Sequence, residues 1–103
     1  MKKLHFEAAG TNYRKREFNA AHVKIGDPIE LCPDPANDFD PYAIRLLKNH
    51  MLLAYVPRAH NRLLLPYVKA GLVTAVVDSA WPNGFCIEVS IEDPPTTSTP
   101  ATV

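Results

Sequence analysis

The chain has 103 residues, 47% hydrophobic and 21% charged, and this length and composition predict a single globular domain. Eleven Lys and Arg side chains balance eleven Asp and Glu side chains. This zero net charge argues against a strongly basic surface that binds nucleic acid mainly through salt-dependent phosphate contacts. Two cysteines are too few for a disulfide scaffold, and no apolar run approaches the roughly 18 residues of a membrane span.

The first half of the chain predicts short strands joined by turns. The opening residues, "MKKLHFEAAG", lack the apolar segment of a signal peptide, so a cytoplasmic protein is expected. A Gly-Asp-Pro turn at 26–28 precedes an apolar segment, and "NH" at 49–50 is typical of a hairpin turn. The strands predicted in this half cover residues 4–9, 29–32, 42–48 and 51–57.

After residue 57 the spacing of the apolar residues changes from that of a strand to that of a helix. Residues 58–71, "RAHNRLLLPYVKAG", end at Gly71, which suits the position just beyond a helix. Pro66 lacks a backbone N–H, so it is expected to kink this helix or end it early. The residues expected on one helical face are Leu63, Leu64, Tyr67 and Val68.

Two further strands follow the helix. Residues 72–80 and 85–92 are predicted strands, with "WPNG" at 81–84 as the turn between them. The second strand alternates strictly, with Phe85, Ile87, Val89 and Ile91 facing one way.

Five or six short strands with one helix between the fourth and the fifth favour a small, closed or nearly closed barrel. The mainly β domain is predicted to cover residues 1–92. The tail "DPPTTSTPATV", 93–103, is rich in Pro and Thr and is expected to be disordered.

The segment "DPANDFDPYAI", 34–44, is an acidic turn stiffened by two prolines. From whichever aspartate the calcium-loop pattern is started, this segment lacks its alternating oxygen ligands and its glycine. From the residues alone, we expect its aspartates and Asn37 to form hydrogen bonds with their own backbone.

A metal site or a catalytic site has little support in the sequence. The four histidines and two cysteines are scattered without zinc-ligand spacing, so no metal or other cofactor is expected. There is no nucleophile motif and no phosphate-binding glycine loop, so an enzyme is not predicted.

Aromatic side chains lie beside cations at several predicted turns. Such pairs suit single-stranded nucleic acid, because bases stack on rings while Arg or Lys contacts phosphate. The same rings also suit the core of a small barrel, which spacing alone favours. The pairs are Tyr13 with Arg14 and Tyr55 with Arg58; in addition, Phe39 lies beside Asp40 in the acidic turn, and Phe85 or Trp81 lies at the last turn.

Three segments together carry a family resemblance: "AAGTNYR" (8–14), "GDPIELCPDPANDFDPYAIRL" (26–46) and "LAYVPRAHNRLLLPYVKAG" (53–71). The chain resembles the HIRAN domain family over about residues 4–92. That resemblance implies a six-stranded barrel like an OB-fold, with one or two helical inserts. It also implies a non-enzymatic nucleic-acid-binding module.

The resemblance further implies a site that captures the 3′ end of single-stranded DNA, with a role in DNA repair or replication-fork processing. Asp40 would accept a hydrogen bond from the terminal 3′-hydroxyl, and Phe39 would stack on the terminal base. The other residues implied at the site are Tyr13, Tyr55, Arg58 and Phe85, with Arg14 or Arg16 as a substitute for the basic residue that the family carries at position 12.

Two positions depart from the family pattern: Asn12 replaces a basic residue and Ala54 replaces a glycine. The alternative is a protein-interaction module of similar fold, in which an apolar patch around Tyr55, Tyr67 and Trp81 docks a helicase or nuclease without binding DNA.

Overall fold

The computed structural model describes residues 2–9, 23–82 and 84–92. Within these residues the chain forms six strands and a helix between the fourth and fifth strands, as predicted. The elements are β1 Lys2–Glu7, β2 Pro28–Pro33, β3 Ile44–Lys48, β4 Met51–Tyr55, α1 Arg58–Lys69, β5 Val73–Trp81 and β6 Gly84–Ile91. The predicted tail, 93–103, lies outside the described residues, and the domain boundary at residue 92 stays a prediction.

The six strands pair antiparallel in the order β1-β6-β5-β2-β3-β4. The two outer strands, β1 and β4, meet just beyond the end of β1. There the backbone N–H of Ala9 donates to the Tyr55 carbonyl at 2.8 Å, and the N–H of Tyr55 donates to the Ala9 carbonyl at 2.9 Å. Because these bonds join the two sheet edges, the predicted class of a mainly β, six-stranded, barrel-like fold is confirmed.

The core forms where the alternating strands turn their apolar side chains inward. Phe85, Ile87 and Val89 on β6 are fully buried, which confirms the predicted inward face of that strand. Each such side chain contributes about 1.5–3 kcal/mol relative to remaining exposed. The other fully or almost fully buried large side chains are Ile44, Leu46, Leu53, Leu64 and Val77.

The β3–β4 hairpin turns through Asn49 and His50, which have φ angles of 52° and 67°. Positive φ at both central residues is the requirement of a two-residue type I′ turn, so the predicted hairpin is confirmed. A register shift then places Leu46 opposite Ala54 and Leu47 opposite Leu52, leaving Leu53 as the extra residue of a β-bulge. Ala54, at the position that departs from the family glycine, is fully buried.

One detail of the predicted helix is wrong. Leu63 is 61% exposed, while the buried residues of α1 are Asn61, Leu64 and Leu65. The helix also runs through Pro66 to Lys69, so this proline does not end it early. The run of three leucines offered no periodicity with which to choose the inward face. Gly71 follows the helix with a φ of 74°, as expected of a C-terminal glycine.

Within residues 2–9, 23–82 and 84–92, no helix has both the length and the apolar composition that crossing a membrane requires.

The β5–β6 hairpin packs the indole of Trp81 against the backbone of Gly84, its cross-strand partner. A Cβ added at Gly84 would lie 2.8 Å from the indole Nε1, which is too close for an unchanged ring position. We therefore expect Gly84→Ala to displace the indole, which is already 39% exposed, at a cost of about 1 kcal/mol.

Trp81 is the single tryptophan of the chain, so its fluorescence measures this change directly. Gly84→Ala should shift the emission to longer wavelength, as the ring becomes more hydrated. Ser90→Ala, on the same strand and away from the hairpin, is the control and should leave the emission unchanged. An unshifted spectrum for Gly84→Ala would contradict the packing described.

Candidate nucleic-acid interface

The acidic loop, residues 34–42, joins β2 to β3 and is organised by the side chain of Asn37. The Asn37 Oδ1 accepts hydrogen bonds from the backbone N–H groups of Phe39, at 2.8 Å, and Asp40, at 3.0 Å. Its Nδ2 donates to the Asp34 Oδ2 at 3.2 Å. The prediction that this loop forms hydrogen bonds with its own backbone is confirmed.

The two ends of the loop are joined by backbone hydrogen bonds next to β2 and β3. The backbone N–H of Asp34 donates to the carbonyl of Ala43 at 2.9 Å, and the N–H of Ala43 donates to the Asp40 carbonyl at 3.1 Å. Pro35 and Pro41 restrict φ on either side of Asn37. The conformation of the loop is therefore set by local bonds without a ligand.

The carboxylate of Asp40 connects the acidic loop to helix α1. Its Oδ1 accepts the backbone N–H of Tyr42 at 2.9 Å, and its Oδ2 accepts the Asn61 side-chain amide at 2.8 Å. The Nε of Arg58 lies 3.5 Å from the same Oδ2. The Asp40 side chain is 18% exposed, so it is partly buried between the loop and the helix.

These partners keep Asp40 ionised. The backbone N–H of Tyr42 and then the Asn61 amide lower the pKa of Asp40, because both donate to the charged form. Partial burial raises the pKa, and the positive charges of Arg58 and Arg62 lower it further. The net effect is a pKa below the ordinary value, so Asp40 is an acceptor at neutral pH.

Phe39 and Arg58 lie side by side next to this carboxylate. The Phe39 side chain is 86% exposed, which is unusual for a phenylalanine. The Nη2 of Arg58 donates to the Phe39 carbonyl at 3.0 Å, while the Arg58 side chain remains 76% exposed. An uncovered ring and an accessible guanidinium thus flank the carboxylate.

A second cation and ring lie one helical turn further along. The Arg62 guanidinium lies over the ring of Tyr42, 4.5 Å from its centroid. Arg58 and Arg62 are four residues apart and so share one face of α1. This face carries two guanidinium groups toward the acidic loop.

Tyr55 approaches the loop from β4. Its hydroxyl donates to the Asp34 Oδ2 at 3.4 Å, and the residue is half-buried. Trp81, in contrast, lies at the β5–β6 hairpin, where it packs on Gly84.

The structure thus places four of the predicted site residues around the acidic loop: Phe39, Asp40, Tyr55 and Arg58. Tyr13 and Arg14, like the departure at Asn12, lie outside the described residues. Phe85 requires a correction: its side chain is fully buried in the core and cannot contact a base.

Sequence reasoning missed Asn61 and the pairing of Arg62 with Tyr42. Asn61 follows Arg58 by three residues, so the helix itself placed both on adjacent positions of one face. That spacing was the available signal, but it does not identify Asp40, which is 21 residues away in the sequence, as their partner.

Comparison with known protein families and structures identifies the family and the fold. The model of the HIRAN domain matches residues 1–91. The chain belongs to the HIRAN domain family. This is a family of nucleic-acid-binding domains.

Two solved structures share the fold of this HIRAN domain. The HIRAN domain of human HLTF has a TM-score of 0.73 at 17% identity, covering 86% of this chain and 74% of that one. A protein from Lactobacillus plantarum has a TM-score of 0.70 at 15% identity, covering 85% of this chain and 95% of that one. At such identities the likeness shows the fold alone. No curated protein sequence matches the chain significantly.

In the described part of the chain, no group of three or more His, Cys, Asp and Glu side chains is arranged to hold a metal ion. The site is therefore described by its ring, carboxylate and guanidinium groups.

The role of Asn37 can be tested by Asn37→Ala. This change removes the acceptor for two backbone N–H groups, so we expect a loss of about 1–2 kcal/mol in the free energy of unfolding. The amides of Phe39 and Asp40 should also exchange hydrogen faster. Urea denaturation and NMR hydrogen exchange measure these effects.

Asp38→Ala is the matched control, because Asp38 lies in the same loop with an exposed side chain. It should change neither stability nor exchange appreciably. Equal effects of the two substitutions would contradict the role given to Asn37.

Proposed function

We propose that this HIRAN domain binds single-stranded DNA and recognises the 3′-hydroxyl end through Asp40. One observation carries the proposal: an ionised, partly buried carboxylate lies beside an exposed phenylalanine ring and an accessible arginine. This combination provides an acceptor, a stacking surface and a phosphate contact in one place.

The chemistry of the carboxylate favours the end of a strand. A carboxylate repels phosphate, so Asp40 is poorly suited to the middle of a polynucleotide or to a 3′-phosphate end. A terminal sugar hydroxyl is a hydrogen-bond donor, and a bond to an ionised acceptor is stronger than a neutral one. Asp40 would therefore distinguish a free end from a blocked one.

Phe39 and Arg58 supply the remaining contacts. The exposed ring of Phe39 can stack on the terminal base, which contributes about 1–3 kcal/mol in such sites. Arg58 can contact the preceding phosphate, with Arg62 further along the same helix face. Since few phosphates are touched, affinity should fall only gently with salt, in keeping with a chain of zero net charge.

The proposal extends to residues and partners beyond these contacts. Three further residues are proposed to border the bound strand. Tyr13 is included from its place in the family pattern, Arg14 as a substitute for the basic residue missing at Asn12, and Tyr55 from its place beside Asp34. End recognition would serve DNA repair or replication-fork processing, in company with a helicase or nuclease. A cytoplasmic location remains a prediction from the sequence.

End recognition is tested by comparing two strands of equal sequence, one with a 3′-hydroxyl and one with a 3′-phosphate. We expect the wild-type protein to bind the hydroxyl-ended strand about tenfold more tightly. Asp40→Ala should reduce this ratio to near one, because it removes the acceptor and the repulsion together. Fluorescence anisotropy at fixed salt measures both affinities.

Asp38→Ala serves as the control, since it removes an equal charge from the same loop and should retain the ratio. Equal affinities of the wild-type protein for the two strands would reject end recognition. Absence of any DNA binding, together with capture of a helicase or nuclease, would favour the protein-interaction alternative.

A further inference from the structure

Asn61 is an unusual residue for its position. Of the described residues, the buried set contains one polar side chain, Asn61, which is 3% exposed. It lies on the inward face of α1 with Leu64 and Leu65. Burying an amide costs free energy unless it forms hydrogen bonds, so an aliphatic residue would suit this face better for stability alone.

The Asn61 amide is directed to the carboxylate of Asp40. Its Nδ2 donates to Oδ2 at 2.8 Å, the shortest of the contacts described for that carboxylate. The bond joins helix and loop across 21 residues of sequence. Asn61 therefore holds one oxygen of the carboxylate, while the Tyr42 backbone N–H holds the other.

Counting lone pairs shows what remains for a ligand. An ionised carboxylate has about four acceptor positions, two on each oxygen. On Oδ2, one accepts the Asn61 amide, and the Arg58 Nε, 3.5 Å away, forms an ion pair with the same oxygen. On Oδ1, one accepts the N–H of Tyr42. Among the described residues, Oδ2 thus has two neighbouring donors, while Oδ1 has one and keeps an acceptor position open.

We infer that Asn61 is a positioning residue of the end site, which occupies Oδ2 of Asp40 and leaves Oδ1 to accept one sugar hydroxyl. This inference rests on the proposed function. It also specifies the ligand further, because Asp40 forms a hydrogen bond with one sugar hydroxyl only. The second hydroxyl of a terminal ribonucleotide therefore adds no bond to Asp40. Asn61 itself does not contact the strand.

The experiment uses one DNA sequence with three different terminal nucleotides: deoxy, dideoxy and ribo. Anisotropy titrations give the ratio of the deoxy-ended to the dideoxy-ended affinity, called here the hydroxyl preference. For Asn61→Ala we expect this preference to fall about fivefold, while the dideoxy-ended strand binds as before. For the wild-type protein we expect the ribo-ended strand to bind within about twofold of the deoxy-ended one.

Leu65→Ala is the matched control, since Leu65 is buried on the same helix and carries no polar group toward Asp40. It should lower the melting temperature and leave the hydroxyl preference intact. A purely structural role of Asn61 would instead weaken binding of all three strands together, and that result would overturn the inference.

The outcomes separate this inference from the proposed function. A wild-type protein without hydroxyl preference would reject both. A wild-type preference that Asn61→Ala retains in full would reject the inference alone. Should Asn61→Ala fail to fold, Asn61→Leu, which restores the volume without the amide, replaces it. Ribo-ended DNA binding fivefold or more tightly to the wild-type protein would also overturn the single-hydroxyl claim.

A pH profile gives an independent measurement. The charged groups around the carboxylate are Arg58 and Arg62 on α1 and Asp34 and Asp38 in the loop. The hydroxyl preference requires ionised Asp40, whose pKa is lowered, so it should disappear only as pH falls through that lowered pKa. Without the Asn61 bond, the loss should occur at higher pH. An unshifted profile would contradict the inference.

Discussion

The hydrogen bond between the Asn61 amide and the Asp40 carboxylate is the interaction on which the candidate site depends. It crosses from helix α1 to the acidic loop at 2.8 Å, between a buried amide and a partly buried carboxylate. Because a bond to an ionised acceptor is strong, one contact can hold the carboxylate in a defined orientation. The exposed groups, Phe39 and Arg58, are then arranged around a fixed acceptor.

The barrel brings these two elements together. The acidic loop leaves β2 and enters β3, and the helix leaves β4, which is the hairpin partner of β3. The bulge at Leu53 and the closure between Ala9 and Tyr55 fix the end of β4. As a result, the first turn of α1 starts beside the loop, and Arg58 reaches the Phe39 carbonyl without a long connection. The loop and the helix are thus joined by hydrogen bonds where the proposed ligand contacts are made.

Local patterns in the sequence predicted much of this structure. Strict alternation located β6 and its inward face, and the residues Asn37 and Asp40 predicted a loop that bonds to itself. The alternation also placed Phe85 with Ile87 and Val89, and the structure follows that pattern, not the base contact implied by resemblance. Leu63 was misplaced because three consecutive leucines do not define a helical face. The Asn61–Asp40 bond could not be predicted, since no short-range pattern reveals a partner that only the folded barrel brings near.

The most direct test of an end site centred on Asp40 is an NMR titration of the uniformly labelled protein with a short single-stranded oligonucleotide. Two forms of the oligonucleotide are compared, one ending in a free 3′-hydroxyl and one ending in a dideoxynucleotide. We expect the free end to shift the resonances of the Tyr42 backbone amide and the Asn61 side-chain amide, and the blocked end to leave these two nearly unmoved. Identical shifts from the two oligonucleotides, or shifts confined to residues remote from the acidic loop, would contradict this expectation.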